Sequence, residues 1–261
     1  MRRPNPMPRL ARWRSNAIQT PFFLLVTVVF GSLSLAASLF DRHGRLQHHI
    51  ARVWAHACLL CSASRLRVIG AENLRKFPVA VYAANHTSYM DTPVVFAALP
   101  FQFRILAKKE LWSLPFIGWH LNRSGQIPIN TENPRATLSS LAAAARTVRD
   151  GMPLFVFPEG GRTADGALQP FMNGAAYLAI RAQVPLVPIA LHGVYDLLPI
   201  HTHHFHPGTL TLIAGEPIPT AGLTTHDADQ LTQQLRDTIQ QLLAQLDAQL
   251  DPASATQPQL T

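Results

Sequence analysis

Apolar residues along this chain fall into two patterns, short unbroken runs and longer stripes at helical spacing, and the two alternate from Leu66 onward. The runs are rich in β-branched and aromatic residues and predict strands near 67–69, 79–83, 103–107, 126–130, 153–157, 186–191 and 209–214. The stripes predict helices near 92–99, 115–121, 134–150, 173–183 and 227–250. The helix at 134 has Asn133 placed to cap its start and Gly151 just past its last turn. The last helix carries Leu231, Leu235, Ile239, Leu242, Leu246 and Leu250 on one face, a stripe suited to covering a sheet. Alternation of this kind implies an α/β fold, a mainly parallel central sheet flanked by helices, with active loops at the carboxyl ends of the strands. No internal repeat interrupts it.

Two different patterns precede the alternation. Residues 15–40 contain no charge and are most apolar at 21–30; about 20 helical residues suffice to cross a hydrocarbon core of about 30 Å. Residues 44–64 form a second stripe, with Leu46, Ile50, Val53, Trp54, Ala57, Leu60 and Cys61 interleaved by Arg45, His48, Arg52 and His56. Such a stripe packs on another helix or lies on a membrane surface. Together they predict an N-terminal membrane-anchoring helical segment. A full span, a hairpin returning through 46–60 and a segment held in one leaflet all remain open. A cleaved signal fits worst, because the charged region before the apolar core is long and no A-x-A site follows.

Charge sharpens this picture. The chain of 261 residues is 48% hydrophobic and 14% charged, apolar enough for one sizeable core, with a net charge of +7. Residues 1–76 hold eleven Arg and one Lys against Asp41 and Glu72, while the remainder holds ten basic and thirteen acidic residues. The basic excess, led by Arg2, Arg3, Arg9, Arg12 and Arg14, therefore flanks the apolar run. That placement suits an anionic lipid surface and a cytoplasmic N-terminus, and no nucleic-acid reader motif accompanies it. Cys58 and Cys61 have no second pair and read as buried thiols of a reducing compartment.

Two loops carry the candidate chemistry. Residues 83–91, A-A-N-H-T-S-Y-M-D, pass from a strand to a helix start. There Asp91 can fold back to His86, accept from one ring nitrogen and leave the other as a base. A simpler reading makes Asp91 an N-cap with Pro93 early in the helix. The second loop, P-E-G-G-R-T from Pro158 to Thr163, follows a core strand. Glu159 and Arg162 on a glycine-rich turn have no packing purpose and suit a polar, anionic ligand.

In order and spacing these motifs resemble the glycerolipid acyltransferase family over about residues 65–215. Its N-H-x4-D motif matches Asn85, His86 and Asp91; F-P-E-G-T-R-S matches Phe157, Pro158, Glu159, Gly160 and Arg162, with Gly161 and Thr163 as departures. The V-P-x-V-P run matches Val184, Pro185, Val187 and Pro188. The remaining motif matches at Gly125, Ile127 and Ile129, but Thr131 stands where the family has arginine, and Arg123 or Arg135 would have to compensate. A lysine frequent in the family within the stretch at 171–174 is also missing. The chain then divides into an N-terminal membrane-associated segment at 1–64, an acyltransferase domain at 65–250 as the resemblance implies, and a terminal stretch at 251–261 that reads as a disordered tail. The resemblance also implies acyl transfer from acyl-CoA or acyl carrier protein to a lysophospholipid, 1-acylglycerol-3-phosphate in the archetype, giving phosphatidic acid at the cytoplasmic face of the inner membrane. A related lyso-lipid such as lyso-ornithine lipid, or a non-catalytic lipid-binding module, are the alternatives. His86 and Asp91 would be catalytic, and Asn85, Glu159, Gly160, Arg162, Gly125, Ile127, Ile129 and Lys108 substrate-binding. The thioester donor is already activated, so no cofactor and no metal are expected. The chain lacks a G-x-S-x-G elbow, and Ser88 lies too near His86 for an easy triad. The histidines at 201, 203, 204 and 206 sit beside Pro207 and Gly208 and read as a surface loop.

Overall fold

The computed structural model describes residues 8–250 apart from 115, 201 and 203. The tail expected at 251–261, Arg2, Arg3, His201 and His203 lie outside the described residues. Seven strands form one sheet: β1 (Arg65–Ile69), β2 (Val81–Ala84), β3 (Arg104–Lys108), β4 (Ile127–Ile129), β5 (Leu154–Val156), β6 (Leu186–His192) and β7 (Thr209–Ala214). Their order is β1-β7-β6-β2-β5-β3-β4. All neighbours run parallel except β6 and β7, so the sheet is mainly parallel, as the alternation implied.

The helices are α1 (Arg9–Arg14), α2 (Thr20–Ala37), α3 (Arg45–Cys61), α4 (Ala71–Arg75), α5 (Asp91–Ala98), α6 (Ile117–Arg123), α7 (Pro134–Arg149), α8 (Gly174–Ala182), α9 (Val194–Leu197) and α10 (Ala228–Leu250). The unbroken apolar run of β2 is what a strand covered on both faces requires. Tyr82 and Ala84 point into a core completed by α2, α3 and α5. Val81 and Ala83 point into a second core under α7, α8 and α10. Strand β5 repeats the split, with Phe155 on the first face and Leu154 and Val156 on the second. Because β2 and β5 are parallel neighbours, with Ala83 opposite Val156, their following loops emerge side by side.

Short elements escaped the pattern. The helices α4 and α9 and the 3-10 turn Lys109–Ser113 are no longer than five residues, too few for a helical period to register. The helix expected at 115–121 begins at Ile117, after Phe116 adopts a left-handed φ of +67°.

The N-terminal segment is a helical hairpin laid on the first core. α1, a π-helical turn at Ser15–Gln19 and α2 run as one helix, Arg9–Ala37, long and apolar enough to cross a membrane. Only 17% of its most apolar stretch is buried, which no core helix would show. Leu24, Leu25, Val28, Val29 and Leu33 are exposed along it. Its other side meets the domain: Trp54 Nε1 donates to Thr27 Oγ1 at 3.2 Å, and the Phe205 amide donates to Ser15 Oγ at 2.8 Å. Arg104 of β3, buried at 8% exposure, fixes the turn of the hairpin by donating to the His43 carbonyl at 2.9 Å. Gly44 makes room for it, since a Cβ there would lie 2.7 Å from the guanidinium.

Replacing that guanidinium by an apolar chain of similar length removes a charged hydrogen bond worth about 1.5–3 kcal/mol. Arg104→Met should therefore lower the unfolding free energy by about that amount and speed proteolysis of the turn at 38–44. Unchanged cleavage there would show that Arg104 does not hold the hairpin.

Candidate active site

The loop between β2 and α5 is shaped by one buried carboxylate. Asp91 is fully buried and its Oδ2 accepts from the Thr87 amide at 2.6 Å, the Ser88 amide at 2.8 Å and His86 Nδ1 at 2.8 Å. With Nδ1–H committed to Asp91, Nε2 is the acceptor of the ring. The His86 side chain is 12% exposed, stacks on Phe157 with ring centres 4.0 Å apart and lines an open cleft of about 1200 Å³. Asp91 is the first residue of α5, whose N-cap is Met90 with no side-chain cap. Its carboxylate bonds amides that precede the helix, so the N-cap reading is corrected, and the same oxygen shapes the loop and orients His86.

The loop after β5 is bound to the first one. Glu159 accepts the His86 amide through Oε1 at 2.6 Å and the Gln169 amide through Oε2 at 2.9 Å. The Thr163 amide donates to the His86 carbonyl at 3.0 Å. Arg162 Nε donates to the Ser88 carbonyl at 3.2 Å, and its guanidinium lies 4.3 Å over the Tyr89 ring. This leaves its terminal nitrogens without a partner among the described residues, at the wall of the cleft. Burial pushes the Glu159 carboxyl up to about 7, against the two amides that favour its charged form. Its place is therefore to join the loops rather than to face a ligand.

Other expected site residues divide. Lys108, Ile129, Gly160 and Arg162 line the cleft with His86. Asn85 does not: it is 3% exposed, and its amide donates to the Leu191 carbonyl at 3.0 Å and accepts the Leu191 amide at 2.8 Å. It clamps β2 to β6, because a buried amide spends both functions on the nearest open backbone. Gly125 and Ile127 are corrected likewise. Gly125, at φ +71°, packs where a Cβ would lie 3.1 Å from the Arg104 guanidinium, and Ile127 packs against the second core. Thr131 lines the cleft, but neither Arg123 nor Arg135 does; Arg123 donates instead to Ser38 Oγ at 3.2 Å. Arg181 near the end of α8 lines it and had no motif to reveal it. In the stretch that lacks the expected lysine, Asn173 donates to Asp229 of α10 at the same wall.

Behind the cleft lies an apolar cavity of about 280 Å³ between α2, α3, α5, α6 and β3. The two share Thr92, Ile105, Ala107 and Leu111 in their walls. Among the described residues no group of His, Cys, Asp and Glu is gathered to hold a metal.

Residues 65–192 match the family described as Acyltransferase. The chain is 32% identical over 243 residues to a 1-acyl-sn-glycerol-3-phosphate acyltransferase of Chlamydomonas reinhardtii, covering 90% of this chain and 71% of that one. It is 33% identical over 183 residues to a chloroplastic 1-acyl-sn-glycerol-3-phosphate acyltransferase of Brassica napus, covering 69% of this chain and 53% of that one. It thus spans about half the length of the Brassica relative. Among solved structures, the 1-acyl-sn-glycerophosphate acyltransferase PlsC of Thermotoga maritima aligns with a TM-score of 0.75 at 24% identity, over 91% of this chain and 98% of that one. That likeness is one of fold.

Asn85→Ala should cost about 3 kcal/mol in denaturant unfolding, the penalty for leaving the buried N–H and C=O of Leu191 unpaired. A loss below 1 kcal/mol, about a single net hydrogen bond, would remove the clamp assignment. The Glu159 carboxyl has a folded value of about 7, above the usual 4.5. Its contribution to stability is therefore full below 4.5 and lost as pH rises through 7. In Glu159→Gln this slope of unfolding free energy against pH should flatten, although the amide opposes one backbone donor and lowers stability throughout. An identical slope in wild type and variant would refute the burial argument.

Proposed function

The chain belongs to the Acyltransferase family, and on that premise we propose that it transfers a fatty acyl group from acyl-CoA or acyl carrier protein to the free hydroxyl of 1-acylglycerol-3-phosphate, giving phosphatidic acid. The observation that carries this reading is the meeting of His86, oriented by Asp91, with the Arg162 guanidinium at one cleft. His86 Nε2 takes the proton of the acceptor hydroxyl as its oxygen attacks the thioester carbonyl. The carbon–oxygen bond forms, the carbon–sulfur bond breaks and the proton passes from the imidazolium to the departing thiolate. Asp91 stabilises the imidazolium between these steps. No protein nucleophile and no cofactor are invoked, because the thioester supplies the activation.

Arg162 grips the phosphate of the acceptor through its planar fork, and Lys108 and Arg181 meet the remaining phosphates of acceptor or donor. The adjoining apolar cavity receives a fatty chain. The exposed apolar face of Arg9–Ala37 and the N-terminal arginines support membrane association at the cytoplasmic face of the inner membrane, where the donors are. Thr131 in place of arginine favours a second reading within the same chemistry, an acceptor whose headgroup carries less negative charge than a phosphate monoester, such as lyso-ornithine lipid. A binding module without catalysis has no use for a base held at 2.8 Å by a buried carboxylate.

The test follows thiol release from acyl-CoA and acyl carrier protein with a panel of lyso-lipids. Release should be greatest with 1-acylglycerol-3-phosphate. His86→Ala should lower turnover by about 10²- to 10⁴-fold, and Arg162→Ala should act chiefly on acceptor KM. Full turnover in His86→Ala would overturn the mechanism, and no release with any acceptor would favour the module.

A further inference from the structure

The apolar cavity behind the cleft contains two polar atoms that nothing among the described residues satisfies. Ser34, on α2, is 2% exposed, and its Oγ has no partner among the described residues. Nδ1 of His120, on α6, is buried and equally unpartnered. Both residues line the cavity.

Contacts on either side of the pair place them opposite each other. On one side, the Phe116 ring sits so near Gly31 that an added Cβ would lie 2.9 Å from it. On the other, Arg123 Nη1 donates to Ser38 Oγ at 3.2 Å. Ser34 lies between Gly31 and Ser38, and His120 between Phe116 and Arg123, each about one helical turn from both contacts. The two helices thus run side by side with Ser34 and His120 on their facing edges.

The surrounding wall is apolar, formed by residues such as Phe30, Ile50, Trp54, Phe96 and Leu121. Of its other polar groups, Thr92 lies on the wall shared with the cleft, and Thr27, Trp54 and Gln126 are already used. Thr27 Oγ1 donates to the Phe23 carbonyl and accepts from Trp54. Gln126 Oε1 accepts the Ile105 amide, and its Nε2 donates to Ser124 Oγ. Burial holds the His120 imidazole below its ordinary range and hence neutral, with one donor and one acceptor nitrogen. A serine hydroxyl and a neutral imidazole together can give one hydrogen bond and take another. A plain methylene chain can do neither and would leave both atoms desolvated and unpaired. A hydroxyl on the chain does both.

We propose that this cavity selects a fatty chain bearing a hydroxyl group, whose oxygen sits between Ser34 Oγ and His120 Nδ1. The proposal rests on the acyl-transfer reading above and adds the chemical class of the chain. The hydroxylated chain can belong to the thioester donor or to the lysophospholipid acceptor, and the experiment separates these sources.

The full-length protein in phospholipid vesicles is given acyl-CoA donors of one chain length, plain or hydroxylated at successive carbons, with a plain acceptor. A second arm moves the hydroxyl to the acceptor chain. Thiol release yields the ratio of kcat/KM for hydroxylated over plain chains. At one hydroxyl position in one arm this ratio should reach about tenfold, the scale of one buried hydrogen-bonding group left unpaired. Ser34→Ala and His120→Phe should each bring that ratio toward one, with Ser34→Ala, the smaller change, expected to retain the thermal unfolding midpoint. A ratio of one at every position in both arms would overturn the proposal, as would a preference that survives both substitutions. Absence of thiol release from all donors would fall on the acyl-transfer reading itself and take this inference with it.

Discussion

Three hydrogen bonds close the loop after β2 onto the loop after β5: His86 amide to Glu159, Thr163 amide to the His86 carbonyl, and Arg162 Nε to the Ser88 carbonyl. Two of them use the main chain of His86 itself. The His86 imidazole and the Arg162 guanidinium are therefore held by one shared backbone and are not separate attachments to the sheet. The arrangement is possible because β2 and β5 are parallel neighbours, so both loops leave the same edge at the same height. Glu159 is the costly part, a carboxyl drawn out of water to accept two amides. Its burial opposes ionisation while its two amide partners favour it.

The N-terminal hairpin also builds part of the domain's interior. Helices α2 and α3 supply one side of the cavity that adjoins the cleft, and β3, α5 and α6 supply the rest. Arg104 links the two parts, reaching the hairpin turn at His43 while lying against Gly125. A residue expected to shape the acceptor site thus turns out to accommodate the side chain that docks the hairpin. The helix that presents its apolar face outward is the same one whose inner face closes the apolar cavity.

The order of the seven strands along the chain was readable because buried parallel strands must be apolar throughout, and runs such as Val81–Ala84 and Leu154–Val156 have no other economical explanation. His86 and Asp91 were readable because orientation of the ring works over a five-residue separation, within one loop. Asn85 was misread for the same reason that it stood out. As the first residue of the N-H-x4-D match it was assigned to substrate, but its partner, Leu191, is 106 residues away and only strand pairing brings it near. Gly125 was misread similarly, since the side chain it makes room for belongs to β3. Arg181 carried no signal, because a lone arginine on a helix is ordinary until the fold turns it toward a cleft.

By itself, then, the sequence determined the α/β class, the strand and helix alternation, the apolar N-terminal helix and the His86–Asp91 pair. Each depends on hydrophobic periodicity or on contacts a few residues apart, which are written locally. Tertiary structure alone decided the strand order, the closing of one loop on the other by Glu159, the roles of Asn85 and Gly125, and the placing of Ser34 and His120 in the wall of one cavity. Those depend on which distant segments become neighbours, and that follows from packing the whole chain around two cores at once.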